Sequence, residues 1–216
     1  MTHRASSPAD QLLALRCEDL TRTYGAGDTA VHALRQVSLA VPAGELLVLR
    51  GPSGSGKTTL LNLLGGLDRP TSGRVWLGES EVTAASEAEL TELRRHRIGY
   101  VFQSFALLPV LSAAEIAELL EVVGLAAHAN QRPAELSGGQ QQRLGIARSL
   151  ANDPSLLIAD EPTGQLDSVN AEAMMSLIAA LVHQRGVAAV VSTHDPRMAV
   201  YADRVLDLHD GRLATE

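Results

Sequence analysis

A glycine-rich stretch constrains this 216-residue chain more than any other feature. The residues from Gly51 to Thr59 read GPSGSGKTT and match the phosphate-binding pattern G-x-x-x-x-G-K-[ST] in full. An apolar run at 45–50 precedes this loop and predicts a buried strand, and leucines at helical spacing follow it. Strand, glycine loop and helix are the context that the pattern requires, so the stretch predicts a nucleotide site in an α/β fold.

The residue types of the loop suit phosphate. Glycine permits positive φ and close approach, so successive N–H groups can point at phosphate oxygens together with the positive end of the helix. Lys57, the only lysine among 18 basic residues, would reach the β and γ phosphates, and the Thr58 hydroxyl would bind Mg²⁺. The alternative is a Gly/Ser-rich turn with a solvated lysine. Nucleotide contacts are expected from Gly51, Ser53, Gly54, Ser55, Gly56, Lys57, Thr58 and Thr59.

Composition narrows the class of protein. The net charge of −7 argues against a general nucleic-acid binder, because affinity for a phosphate backbone comes from basic surface. Residues 1–11 are polar, and no apolar run approaches the length of a membrane span, so we expect a cytosolic chain. Cys17 is the single cysteine, which excludes a disulfide framework within the chain. We expect its side chain to pack as a small, partly buried apolar group.

The first fifty residues alternate in a strand-like way and predict an antiparallel flap, with strands near 13–17, 31–34 and 38–41. A turn is expected at 25–28. Tyr24 stands directly before that turn and has two interpretations, an aromatic side chain packed on an edge strand or a platform that stacks on adenine.

Three further strands are predicted at 98–103, 156–161 and 187–193, and polar groups stand where each one ends. The carboxyl ends of parallel strands are where doubly wound sheets place ligand groups. Asp160 would then hold Mg²⁺ through a hard oxygen, and Glu161 could accept a proton from an attacking water or orient it. Gln103 and His194 end the other two strands. The alternatives are a turn cap for the glutamine, a helix cap for the carboxylates and a structural histidine.

Helices are predicted at 86–97, 113–125, 140–150 and 168–183, with a loop at 131–135. The third of these helices follows the segment LSGGQ, residues 136–140. Ser137 would cap it, and two glycines at its start would open the N-terminus to an anion.

In chain order these elements resemble the P-loop, Q-loop, signature, Walker B, D-loop and switch histidine of ABC ATPases. The resemblance covers almost the whole chain, and stretches such as 65–73 and 159–164 are most similar to the branch that serves lipoprotein-release, macrolide-export and cell-division permeases. It implies ATP and Mg²⁺ as cofactors. It further implies that Tyr24 stacks on adenine, that Thr58, Gln103 and Asp160 hold Mg²⁺, that Glu161 is the general base and that His194 senses the γ-phosphate. The resemblance also implies that Lys57 and Gln103 are catalytic residues together with Glu161 and His194.

The resemblance also implies a homodimer with ATP at its interface, in which one protomer's signature covers the nucleotide of the other. The signature residues concerned are Ser137, Gly138, Gly139 and Gln140. The fold implied is a P-loop core with a mostly parallel sheet, an antiparallel flap and a shortened helical lobe that carries the signature. Residues 1–11 would be a flexible N-terminus and 12–216 a single domain, with core and flap at 12–102 and 153–216 and the lobe at about 104–152.

Two positions depart from the family pattern. Gln165 stands where the branch usually has asparagine, and only 32 residues separate Gln103 from Leu136, which is short for the lobe that grips the membrane partner. The leading hypothesis is an ATP-hydrolysing subunit, peripheral on the cytoplasmic face of the membrane, that drives a separate permease. The alternatives are an ATP-dependent switch or scaffold of the cell-division type and a degenerate, uncoupled ATP-binding member.

Overall fold

The computed structural model describes residues 12–101 and 113–214. Its strands are β1 (Leu13–Tyr24), β2 (Val31–Pro42), β3 (Leu46–Arg50), β4 (Ser72–Leu77), β5 (Ser80–Glu81), β6 (Ile98–Val101), β7 (Leu156–Asp160), β8 (Ala188–Thr193), β9 (Arg204–His209) and β10 (Arg212–Leu213). Its helices are α1 (Lys57–Leu64), α2 (Glu87–His96), α3 (Ala113–Val122), α4 (Gly138–Ser149) and α5 (Ser168–Arg185). Short 3₁₀ turns lie at Gly27–Thr29, Ala126–His128, Pro133–Glu135 and Pro196–Tyr201.

The larger sheet has the order β10-β9-β3-β8-β7-β6, and only the pairing of β10 with β9 is antiparallel among its described strands. Alternate residues of its central strands face two separate apolar cores. One core contains the leucines of α1 and the flap, and the other contains α3, α4 and α5. Because helices cover both faces, β3, β7 and β8 are apolar along nearly their whole length. The predicted, mostly parallel sheet is confirmed.

The smaller sheet is the predicted antiparallel flap, with the order β2-β1-β4-β5. The prediction of separate strands at 31–34 and 38–41 is wrong, since β2 runs unbroken from Val31 to Pro42. Gln36, at φ +54°, lies where the pairing of β1 with β2 shifts, so an irregularity replaces the expected gap. Cys17 is more deeply buried than expected, and its burial raises the pKa of the thiol to about 12.

Local capping signals set most helix boundaries. Ser86 and Glu89 form the predicted capping box that begins α2. Helix α3 ends at Val122, before the predicted end at 125, because the Leu125 N–H closes a wider turn onto the Leu120 carbonyl at 2.6 Å. The loop expected at 131–135 contains a 3₁₀ turn, and α5 extends to Arg185. No helix within residues 12–101 and 113–214 is both long and apolar enough to cross a bilayer.

Candidate functional site

The carboxyl ends of β3, β7 and β8 meet at one edge of the larger sheet, and the glycine loop leaves β3 at that edge. An open cavity of about 950 Å³ lies against the loop. Its walls come from the loop, from the residue after β7, from the start of β2 and from the turn between β9 and β10. The lining comprises Ala30, Val31, His32, Ala33, Arg35, Ser53, Gly54, Gly56, Lys57, Thr58, Thr59, Glu161, His209, Asp210, Gly211 and Arg212.

The loop backbone is built for close approach. Gly56 has φ +107°, and a Cβ there would lie 2.5 Å from the Ala33 carbonyl oxygen. Gly56 is also the N-cap of α1 and supplies no side-chain cap, so the first N–H groups of the helix keep their capacity to bind an anion. Gly51 and Ser55 do not line the cavity. They support the loop instead, since the Gly211 N–H donates to the Ser55 carbonyl at 3.0 Å and the Gly51 carbonyl accepts from Lys57.

Lys57 is a buried cation, with 5% of its surface exposed. Its ammonium donates to the Gly51 carbonyl at 2.8 Å and to the Pro52 carbonyl at 3.1 Å. The carboxylate of Glu161 lies 3.6 Å away and balances its charge. Below the loop, Arg50 donates to both carboxylate oxygens of Asp207, and these bonds lower the pKa of that carboxyl.

Asp160 lies at the end of β7, next to the start of α1. The Thr58 hydroxyl donates to Asp160 Oδ2 at 2.8 Å, so a hydroxyl and a carboxylate oxygen lie together beside the loop. Hard oxygens of this kind fit Mg²⁺. Within residues 12–101 and 113–214, no group of three or more His, Cys, Asp and Glu side chains is arranged so that it could hold a metal ion. Gln103, the third expected ligand, lies outside the described residues.

Glu161 contacts Lys57 of the loop on one side and residues at the end of β8 on the other. Its backbone has φ +49°, and its N–H donates to the Ser192 hydroxyl at 2.9 Å. Glu161 Oε2 lies 2.5 Å from His194 Nδ1. Lys57, Thr58, Asp160, Glu161 and His194, predicted separately along the chain, are therefore brought together by direct contacts.

Other predicted residues lie apart from this cluster. Tyr24 is partly exposed, its hydroxyl donates to Asp68 at 2.9 Å, and the Arg22 guanidinium lies 4.4 Å from its ring centroid. Tyr24 is not among the lining residues of the cavity, although its partner in the pairing of β1 with β2, Val31, is.

The signature segment begins α4 and contributes no residue to the described lining of the cavity. Ser137 is the predicted N-cap and forms a capping box with Gln140, so α4 begins at Gly138 rather than at the predicted 140. Ser137 and Gly138 are exposed, and a Cβ at Gly138 would meet no heavy atom within 4 Å. The Gln140 side chain also contacts His128 Nε2 at 3.0 Å, a neighbour that the sequence did not indicate.

Two groups were not expected at the site from the sequence, although the turn at 209–211 itself was. The turn at 209–212 forms one wall, and its only signal was the Asp-Gly dipeptide of a hairpin. Ser192 bonds to both acidic residues, and its only signal was a hydroxyl within an apolar strand.

A parallel sheet with a glycine loop after one strand and a carboxylate at the end of the next strand but one defines a P-loop nucleotide-binding protein. The family model "ABC transporter" matches residues 34–164. The chain therefore belongs to the ABC transporter family, and it is an ATP-binding cassette ATPase.

Individual relatives agree with this assignment. The lipoprotein-releasing system ATP-binding protein LolD of Chromohalobacter salexigens is 42% identical, over 96% of this chain and 96% of its own length. The macrolide export ATP-binding/permease protein MacB of Syntrophobacter fumaroxidans is 41% identical over 94% of this chain, which spans 31% of that relative. The dimeric, post-hydrolysis structure of the cassette MJ0796 of Methanocaldococcus jannaschii, bound to ADP and Pi, superposes with a TM-score of 0.82. It is 38% identical and covers 93% of this chain and 97% of its own.

We predict that Lys57→Arg weakens ATP binding about tenfold or more, because a planar guanidinium does not fit the buried position between two loop carbonyls. Fluorescence titration with a labelled ATP analogue measures this. Arg95→Lys, an exchange of the same two residue types at an exposed position, is the control and should bind as the wild type does. Wild-type affinity in Lys57→Arg would show that the ammonium is not required.

Proposed function

We propose that this chain is the ATP-hydrolysing subunit of an ABC transporter of the lipoprotein-release and macrolide-export type, which dimerises around two Mg-ATP and drives a separate membrane permease. The observation that carries the proposal is the contact network of Lys57, Thr58, Asp160, Glu161 and His194 beside an uncapped helix N-terminus. It combines groups suited to phosphate, a divalent cation and proton transfer at one edge of the sheet.

In this proposal the loop binds the triphosphate of the substrate. The N–H groups at the start of α1 and the Lys57 ammonium would bind the β and γ phosphates. Adenine would stack on Tyr24, whose strand partner Val31 lines the cavity. The arriving phosphate would also compete with Glu161 for Lys57, since the two side chains lie 3.6 Å apart. ATP binding would therefore release the carboxylate for chemistry.

Thr58, Asp160 and Gln103 would hold Mg²⁺. When bound, the cation neutralises charge that develops on the β and γ phosphates. The contact between Thr58 and Asp160 supports this role, because it sets two hard oxygens side by side at the loop.

Glu161 would act as the general base. The oxygen of a water attacks the γ-phosphorus while the bond from phosphorus to the β–γ bridging oxygen breaks, and the carboxylate takes the water's proton. ADP and inorganic phosphate leave. His194 lies 2.5 Å from Glu161 Oε2 and would orient that carboxylate and contact the γ-phosphate. Most of the acceleration would come from positioning and charge neutralisation.

The signature would act on the nucleotide of a second protomer. Ser137 and Gly138 are exposed at the start of α4, and the cavity beside the loop is lined by other residues. A complete site would then need Ser137, Gly138, Gly139 and Gln140 from the partner. The dimeric form of MJ0796 supports this arrangement.

The domain division expected from the sequence belongs to the same proposal. Core and flap at 12–102 and 153–216 would carry the nucleotide, and the lobe at about 104–152 would carry the signature and meet the permease on the cytoplasmic face of the membrane. Only 32 residues separate Gln103 from Leu136, so this lobe would be short.

The short lobe favours a second candidate, a degenerate ATP-binding member that is uncoupled from transport. Affinity purification of the tagged protein from detergent-solubilised membranes separates the two functions. We predict recovery of a multi-spanning permease subunit, and untagged membranes are the control. Recovery of soluble partners alone would contradict permease coupling.

We predict that Glu161→Gln keeps ATP binding but lowers the rate of hydrolysis about a hundredfold or more, since a general base contributes on that order. The variant should accumulate as a dimer with ATP, because hydrolysis no longer opens it. ATPase assays and size-exclusion chromatography in ATP and Mg²⁺ measure both effects. Glu79→Gln is the control, because Glu79 is exposed and outside the site. Turnover at the wild-type rate in Glu161→Gln would remove Glu161 from the base role.

A further inference from the structure

Strand β8 carries a buried hydroxyl group at Ser192, directly after four apolar residues. The residues before Ser192 are Ala188, Ala189, Val190 and Val191, and the Ser192 side chain is fully buried. In the sheet Ser192 pairs with Asp160 of β7. A buried hydroxyl needs hydrogen-bond partners, and this position gives it both acidic residues of the site.

The Ser192 hydroxyl bonds in two directions. It donates to Asp160 Oδ1 at 2.5 Å and accepts from the Glu161 N–H at 2.9 Å. The other oxygen of the same carboxylate, Asp160 Oδ2, accepts from the Thr58 hydroxyl at 2.8 Å. With both of its oxygens bonded to hydroxyl groups, the Asp160 carboxylate is fixed against rotation.

The second bond acts on the backbone. Glu161 has φ +49°, a conformation that is uncommon for residues with a Cβ and persists where its surroundings hold it. The hydrogen bond from its N–H to the buried Ser192 is one such restraint. This conformation directs Glu161 toward Lys57 and His194.

We propose that Ser192 is a positioning residue, which sets the orientation of the Asp160 carboxylate for Mg²⁺ and of the Glu161 carboxylate for proton transfer. This inference rests on the proposed ATPase function. It assigns the shared orientation of two adjacent acidic residues to one hydroxyl on the neighbouring strand. Hydrogen-bond partners of a metal-binding carboxylate tune its affinity for the metal.

The test compares Ser192→Ala with Ser192→Thr, which keeps the hydroxyl. Mg²⁺ is titrated into the protein, and the affinity for labelled ATP is measured at each concentration. For Ser192→Ala we predict that about tenfold more Mg²⁺ is needed to reach half of the full increase in affinity. Loss of a hydrogen-bond partner of a metal ligand typically weakens metal binding by at least about tenfold. The affinity for labelled ATP in EDTA should stay at the wild-type value, because the hydrogen bonds of the Lys57 ammonium go to the Gly51 and Pro52 carbonyls and none goes to Ser192. The kcat should fall more than KM rises, and Ser192→Thr should restore both the Mg²⁺ response and kcat.

Ser149→Ala is the matched control. Ser149 is also buried, but its hydroxyl donates to the Ile146 carbonyl within α4, away from the site. This variant should keep the wild-type Mg²⁺ response.

The proposal is overturned if Ser192→Ala keeps the wild-type Mg²⁺ response and kcat, or if Ser192→Thr fails to restore them. A loss of ATP affinity in EDTA together with a lower melting temperature would also overturn it, because that result describes a packing role only. Failure of the proposed function is recognised separately, since the wild type itself would then show no Mg²⁺-dependent turnover.

Discussion

The ion pair of Lys57 with Glu161 is the interaction on which the rest of the site depends. A buried ammonium is costly unless it is paired, and Lys57 has two loop carbonyls and one carboxylate for this purpose. The same carboxylate contacts His194 and is restrained through its backbone by Ser192. A phosphate group that binds to Lys57 would replace Glu161 as the counter-charge of the ammonium. In the proposed function, nucleotide binding and release of the base would therefore be coupled through one pair of charges.

Much of the fold could be predicted from local signals. The apolar runs before Gly51 and Glu161 predicted buried strands because strands covered on both faces need no polar residues. A capping box located the start of α2 and a serine N-cap located the start of α4, each to within two residues. The errors have two causes. Pairing with β1 keeps β2 continuous through the irregularity at Gln36, and a local turn from Leu125 to Leu120 ends α3 at Val122.

The candidate site was predicted less completely. Loop and strand-end residues could be found because each belongs to a motif with a fixed chemical reason, and their convergence follows from parallel strands sharing one edge. A turn was expected at 209–211, but its place in the site was not, and Ser192 was not singled out, since both roles depend on which strand lies beside which in the sheet. The separation between the signature and the cavity could not be read from spacing either. Because of this separation, the cavity of a single chain is not lined by the signature residues that are expected to contact the nucleotide.

We propose that each ATP is hydrolysed between the loop of one protomer and the signature of its partner. Single-turnover hydrolysis by a mixture of Lys57→Ala and Ser137→Arg proteins tests this arrangement. Each variant alone lacks one half of every site, whereas a mixed dimer has one site with both halves intact. We predict that the mixture hydrolyses ATP although neither variant does so alone. A chain that carries both substitutions should show no hydrolysis. Mixed dimers that form without regaining hydrolysis would contradict it.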